Sequence, residues 1–179
     1  MKVTATAIPD VLIIEPKIFG DSRGFFFESF NQRDFNAATG TEFSFVQDNH
    51  SRSKKGVLRG LHYQLGRPQG KLVRVVRGAV FDVVVDIRLT SPTFGKFFGM
   101  ELNEDKGLQL WVPPGFAHGF SVLSASADLL YKSSEYYILS LKRCIAWDDP
   151  DLGIMWQLKK APILSAKDAT GQAFKTAEL

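Results

Sequence analysis

The sequence carries a single cysteine, Cys144, in 179 residues. That excludes an internal disulfide framework and every multi-cysteine zinc site. Long apolar runs are also missing. Val11-Leu12-Ile13-Ile14 is short, and the stretch from Phe81 to Ile87 is interrupted by Asp82 and Asp86, so neither can span a bilayer. The opening MKVTATAIPDV has one lysine and no sustained apolar stretch; no signal peptide is expected, and the expected location is the cytoplasm. Charge of one sign is not in excess: 22 basic against 19 acidic residues leave a net charge of +3. With the basic residues scattered, that balance does not point to nucleic acid. The chain lacks internal repeats, low-complexity tracts, a nucleophile elbow, a phosphate-cradling glycine loop and a dinucleotide fingerprint.

What is present is the material of one folded domain. Hydrophobic residues make up 45% and charged residues 23% of the chain, with fifteen phenylalanines. A chain this long buries roughly 70% of its extended surface without a metal or disulfide staple. Turn signals separate short runs of strand-forming residues, which predicts an all-β domain. Strands are expected at residues 11–16, 25–30, 43–49, 57–64, 71–77, 80–88, 95–102, 108–113, 119–124 and 128–137. One helix is expected at Gln32 to Thr39, closed by Gly40, with further short helices near the C-terminus. The apolar side chains Phe81, Val83, Val85 and Ile87 alternate with Asp82, Asp86 and Arg88, the pattern of a half-buried strand. Arg77-Gly78 before it reads as a turn joining two paired strands. About ten short strands suit a sandwich or jelly-roll barrel. In Phe25-Phe26-Phe27, alternation sends Phe26 to the face opposite its neighbours. A partner subunit or a ligand pocket would cover a side chain of that size.

The basic residues Arg52, Lys54, Lys55, Arg59, Arg67, Lys71, Arg74 and Arg77 either form a solvated surface or gather round one anionic small molecule. The strand Gly60-Leu61-His62-Tyr63-Gln64 offers one histidine, with Tyr and Gln where a barrel metal centre would place further ligands. Alternation puts Tyr131, Ser133, Glu135 and Tyr137 on one strand face. If that face points inward, a phenol shares a cavity with His62. The turn Pro113-Pro114-Gly115 comes just before His118. An imidazole, a phenol and nearby cations suggest carbon-acid chemistry. Histidine can take a proton beside a ketone near neutral pH. Lys71 can hold the enolate oxygen, and a tyrosine can return a proton from the opposite side.

These residues lie in stretches that resemble the dTDP-4-dehydrorhamnose 3,5-epimerase family. The matching segments are Phe19 to Ser29, Gln47-Asp-Asn-His-Ser51, Leu58-Arg-Gly-Leu-His-Tyr-Gln64, Gln69-Gly-Lys-Leu-Val-Arg74, Gly78 to Asp86, Pro113 to Phe120, Leu130-Tyr-Lys132 and Leu164-Ser-Ala-Lys-Asp168. They run in order across nearly the whole chain. The resemblance implies a single cupin-like jelly-roll domain over residues 1–179, a homodimer, and no metal or organic cofactor. It implies a dTDP-linked 4-keto-6-deoxyhexose substrate inverted at C3 and C5 in dTDP-L-rhamnose synthesis, with neither nucleic acid nor membrane as partner. His62 would be the base, Asp168 its dyad partner, Tyr131 the opposing acid and Lys71 the enolate stabiliser, with His118 also on the substrate. Arg23, Phe26, Glu28, Gln47, Asp48, Asn49, Arg59 and Lys167 match nucleotide- or phosphate-contacting positions, and Tyr137 a sugar- or base-facing one. In the family the N-terminal strand crosses to the partner, so Arg23, Phe26 and Glu28 would serve the neighbouring subunit.

Two features depart from that pattern. Lys142 stands where the family has an acidic substrate contact, which favours a single-position epimerase or sugar isomerase as the alternative. Strict alternation also separates Arg59 from His62, and a bulge at Gly60 would reconcile them. A metal-dependent cupin and a non-catalytic sugar-binding jelly roll are the remaining readings.

Overall fold

A computed structural model describes residues 1–179 as two antiparallel sheets packed face to face, the expected all-β jelly roll. The strands are β1 (Lys2–Ala5), β2 (Leu12–Glu15), β3 (Phe19–Asp21), β4 (Gly24–Phe26), β5 (Gln47–Lys54), β6 (Leu58–Gln64) and β7 (Lys71–Arg77). They continue with β8 (Ala79–Asp86), β9 (Phe97–Asn103), β10 (Gln109–Val112), β11 (Phe116–Val122), β12 (Ser126–Ser133) and β13 (Lys142–Cys144). The larger sheet runs β1-β2-β10-β7-β12-β5 and the smaller β13-β6-β11-β8-β9, while β3 and β4 pair only with each other. No helix is long and apolar enough to cross a membrane.

Three apolar clusters hold these layers together. Between the sheets lie Val73, Val75, Val80, Val84, Leu102, Leu110, Phe116, Phe120 and Leu129. The outer face of the smaller sheet (Leu58, Leu61, Phe81, Val83, Val85) is covered by the C-terminal segment through Ile145, Leu152 and Trp156. The outer face of the larger sheet (Ile14, Leu72, Trp111) is covered by Phe35 of the helix α1 (Gln32–Thr39). That helix has the boundaries its caps dictate: Asn31 accepts from the Asp34 amide, and Gly40 closes it in the left-handed conformation at φ 67°.

Double coverage corrects the expectation for β8. Residues Val80 to Asp86 are buried on both faces, not one. Its aspartates survive inside because each has partners: Asp82 takes His118, and Asp86 accepts from Arg88, Ser91 and Thr93. Arg77-Gly78 does not join paired strands either. β7 pairs with β10 and β12 whereas β8 pairs with β9 and β11, so this turn passes the chain from one sheet to the other. Gly78 is required there, at φ 73° with the Ser126 carbonyl 2.1 Å from where a Cβ would sit. The expected strand at 128–137 stops at Ser133, which takes Glu135 and Tyr137 out of the Tyr131 register. The expected strand at 25–30 is only the short β4, and the one at 43–49 starts later and runs to Lys54. β1, β3 and β13 were not anticipated; each is only three or four residues long.

Candidate active site

Both sheets contribute side chains to one cavity of about 190 Å³. β6 and β11 of the smaller sheet present Arg59, His62, Gln64 and His118; β7 and β12 of the larger present Lys71 and Tyr131. Tyr137 and Lys142 line the same space from the segment after β12. Two other clefts are comparable or larger in volume, one beside Met1, Phe19 and Phe26 and one beside Phe25 and Phe27. Neither contains a histidine or tyrosine, so neither offers an acid–base pair for proton transfer near neutral pH.

A bulge sets the facing of β6. His118 is paired with His62 and Phe120 with Arg59, so three steps on β6 match two on β11. The extra residue at Gly60–Leu61 restores Arg59 and His62 to one face. Only glycine fits there: φ is +134°, and a Cβ would lie 2.5 Å from the Gly119 Cα. Leu61 meanwhile turns outward into the cluster beneath the C-terminal segment.

His62 is the centre of the arrangement. Its Nε2 lies 2.5 Å from Asp168 Oδ1. The Ser165 hydroxyl donates to Asp168 Oδ2 at 2.6 Å, and the Gly60 amide donates to Oδ1 at 3.4 Å. Burial pushes the Asp168 carboxyl up, but the bonds from His62 and Ser165 outweigh it and hold the group down at about 2. Burial also lowers the His62 imidazole below its ordinary 6.5, opposed by the Asp168 bond and reinforced by the charges of Lys142 and Lys71. The pair is therefore a neutral imidazole beside a carboxylate at pH 7. With Nε2–H donating to Asp168, the Nδ1 lone pair is the ring's basic site.

Lys71 is buried at the start of β7, with its Nζ 3.5 Å from the His62 carbonyl oxygen. Burial lowers it to about 8, while the Asp82 charge works the other way. Tyr131 is raised above 10 by burial and by Tyr137, so it keeps its proton. His118 directs Nε2 at both carboxylate oxygens of Asp82, at 2.9 and 3.0 Å. Gln64 spends its amide on the Arg67 and Tyr136 carbonyls and the Ile138 N–H. His118 and Gln64 are thus committed to protein partners, whereas the Tyr131 hydroxyl has none and the Lys71 ammonium has a single contact at 3.5 Å.

Not every expected residue reaches the cavity. Gln47 accepts from the Tyr137 amide and donates to Asn49, positioning the cavity wall from behind. Asp48 and Asn49 line a neighbouring cleft that shares Tyr131 with the first, and Asp48 pairs with Lys132. The Asn49 Nδ2 is buried without a partner. Arg23 is paired with Asp21 on the β3–β4 ribbon, Phe26 is 71% exposed there, and Glu28 lies near Asn31, all away from His62. Lys167 precedes the short 3-10 helix Asp168–Thr170 and does not line the cavity. The basic residues do not gather as one cluster. Arg59 and Lys71 line the cavity, Arg74 faces the neighbouring cleft, and Arg52 and Arg67 are tied to Asp128 and Glu135. Ser51, Gln69 and the support from Ser165 were not singled out from sequence. Nor was Cys144, the cross-strand partner of His62. Gln64, noted from sequence only at a possible metal-ligand position, is two residues from His62 and hence on its face.

The family model described as dTDP-4-dehydrorhamnose 3,5-epimerase matches residues 5–176. A protein of that name from Pseudomonas aeruginosa is 57% identical over 178 residues, covering 99% of this chain and 98% of its own. The crystal structure of a Legionella pneumophila 3,5-epimerase in complex with dTDP-4-keto-L-rhamnose is 51% identical. It superposes with a TM-score of 0.97 over 99% of this chain and 94% of its own. The 3'-monoepimerase ChmJ from Streptomyces bikiniensis, solved with dTDP-quinovose, is 34% identical. Its TM-score is 0.89, over 98% of this chain and 88% of its own.

Proposed function

The chain belongs to the dTDP-4-dehydrorhamnose 3,5-epimerase family, and from that premise we propose how its residues divide the inversion of C3 and C5 in dTDP-4-dehydro-6-deoxy-D-glucose. The product is dTDP-4-dehydro-L-rhamnose, on the route to dTDP-L-rhamnose. The observation that carries the assignment is that His62 and Tyr131 line one cavity from opposite sheets, with Lys71 in the same cavity.

The hydrogens on C3 and C5 are acidic because each carbon adjoins the C4 ketone. His62 accepts one of them, and Asp168 stabilises the imidazolium that forms. The electron pair moves onto the C4 oxygen, where the Lys71 ammonium stabilises the enolate. Tyr131 delivers a proton to the opposite face of the same carbon, and the configuration inverts. The phenolate is reprotonated and His62 discharges its proton before the second carbon reacts. His118, anchored on Asp82, and Tyr137 border the sugar, and Arg59 meets the phosphates.

Gln47, Asp48, Asn49 and Lys167 complete the nucleotide subsite in this reading. Arg23, Phe26 and Glu28 serve the site of a second subunit in a homodimer formed by exchange of N-terminal strands. The supporting observation is that β3 and β4 pair with nothing else in their own chain and leave Phe25 and Phe26 72% and 71% exposed.

Incubation with the keto-sugar in D₂O, followed by NMR of the product, tests the assignment. Deuterium enters at both C3 and C5 with the intact protein, and His62→Ala lowers kcat/KM by about 10²–10⁴-fold. Tyr131→Phe retains exchange but loses inversion. Absence of exchange above background overturns the proposal. A single-position epimerase is the second reading, favoured by Lys142 in the cavity wall; deuterium and inversion at one carbon only would establish it.

A further inference from the structure

Beside His62, β13 brings up the thiol of Cys144, which does not itself line the cavity. The two residues are direct cross-strand partners in the β13–β6 pair. One ligand-bearing atom from each of His62, Cys144 and Asp168 lies within 4.8 Å of the other two. Imidazole, thiolate and carboxylate are the three donor types that zinc takes in proteins. We propose that His62, Cys144 and Asp168 form an inhibitory site for a thiophilic divalent cation, Zn²⁺ or Cd²⁺, which switches the enzyme off by occupying its base.

The local chemistry supports three ligands and one open position. The second oxygen of Asp168 is held by Ser165, which leaves Oδ1 as the ligand. The Cys144 thiol makes only long contacts, 3.5 Å each, to the Gly60 and Ile145 carbonyls, so it can turn toward the ion. Binding replaces the S–H proton by a metal–sulfur bond and releases one proton to solvent. Because a proton is released, affinity rises with pH. Thiolate and carboxylate together neutralise the dication against the repulsion of Lys142 and Lys71. The His62–Asp168 separation must open from 2.5 Å to the roughly 3.3 Å between two ligands about 2.0–2.1 Å from a tetrahedral zinc. The adjustment is a side-chain rotation.

Inhibition follows whichever ring nitrogen binds. Metal on Nδ1 fills the basic lone pair directly, and metal on Nε2 forces the remaining ring proton onto Nδ1. A hard cation such as Mg²⁺ gains nothing from the thiol and should not bind. The metal site itself is independent of the assigned reaction; only its effect on turnover rests on His62 as the base.

The test is calorimetric titration of the purified protein with Zn²⁺. Titration with Cd²⁺, followed by the thiolate-to-metal charge-transfer absorption, reports the sulfur ligand without any substrate. Intact protein should bind one ion, develop the band, and lose activity in step with occupancy, reversibly on adding chelator. Cys144→Ser should abolish the band and weaken binding by more than the roughly 10–100-fold that loss of an outer-shell partner costs. Inhibition is read as the ratio of activities with and without metal for each variant, so a change in basal turnover cancels. Equal affinity in Cys144→Ser and intact protein, or a band that persists in the variant, overturns the proposal. One ion bound with full activity retained would keep the site but remove His62 as the base.

Discussion

The chemistry rests on how burial divides protons between side chains in one cavity. His62 titrates below 6.5 because its surroundings disfavour the imidazolium, and Lys71 titrates near 8 for the same reason. In the proposed mechanism the base works when neutral and the lysine when charged. kcat/KM should therefore rise with pH through the His62 value, fall again near pH 8, and trace a bell in a steady-state pH profile. Lys142→Glu replaces a cation that disfavours imidazolium with an anion that favours it. The acid limb should then move to higher pH while the basic limb shifts less. Lys71 also bears on stability. Its folded value lies below the ordinary 10.5, so its buried charge is a cost at pH 7. Lys71→Met should lower kcat/KM by about 10²–10³-fold, as loss of an oxyanion donor does, yet raise the thermal midpoint by a few degrees. That stability gap should close as pH climbs from about 8 to 10.5, where the unfolded lysine also becomes neutral. At this scale the sequence was informative where chemistry is scarce: three histidines and four tyrosines left few choices for an acid–base pair. Asp168 came instead from the family resemblance, because a carboxylate 106 residues away from its histidine leaves no local pattern.

Strands bounded by turn signals were the easiest elements to locate, and the double burial of one whose apolar pattern carries aspartates was misread. β7 was expected at residues 71–77 and is found there, since its apolar run is bounded by glycine at both ends. β8 looked half-buried because two aspartates broke its apolar pattern, yet their partners lie on neighbouring segments that periodicity cannot reveal. β13 went unseen because three residues are too few to show alternation. The β6 bulge belongs to a middle class: two site residues on opposite expected faces demanded an irregularity, and glycine marked where. Gly60→Ala should cost at least the ~1–3 kcal/mol of a residue forced into glycine-only backbone conformation, measured by urea unfolding. The backbone of Gly119 is too close to yield. Activity should fall further than stability, because any escape from the clash moves Arg59 relative to His62.

For the molecule as a whole, the proposal turns on a second subunit. Arg23→Ala and His62→Ala homodimers should each be nearly inactive. Unfolded together and refolded as a mixture, they should regain about a quarter of the intact sites, because each mixed dimer has one site with both residues present. No recovery would mean that Arg23 acts within its own chain. Phe26→Asp should shift sedimentation toward the monomer. Fold class was legible from strand number and turn spacing, whereas the proposed exchange between subunits came from the family resemblance, since a ribbon with no partner in its own chain gives only exposed phenylalanines to read.

The catalytic cavity is a gap between two sheets, with His62 on one and Tyr131 on the other. In the proposed mechanism the spacing of proton acceptor and proton donor thus follows the packing of the sandwich, through Val73, Val84, Leu110, Phe120 and Leu129, rather than the loops around the entrance. A protein built this way sets its reaction coordinate with the same interior that keeps it folded. Changes in the methyl groups of that interior would retune the enzyme's stereochemical fidelity without touching a single group that handles a proton.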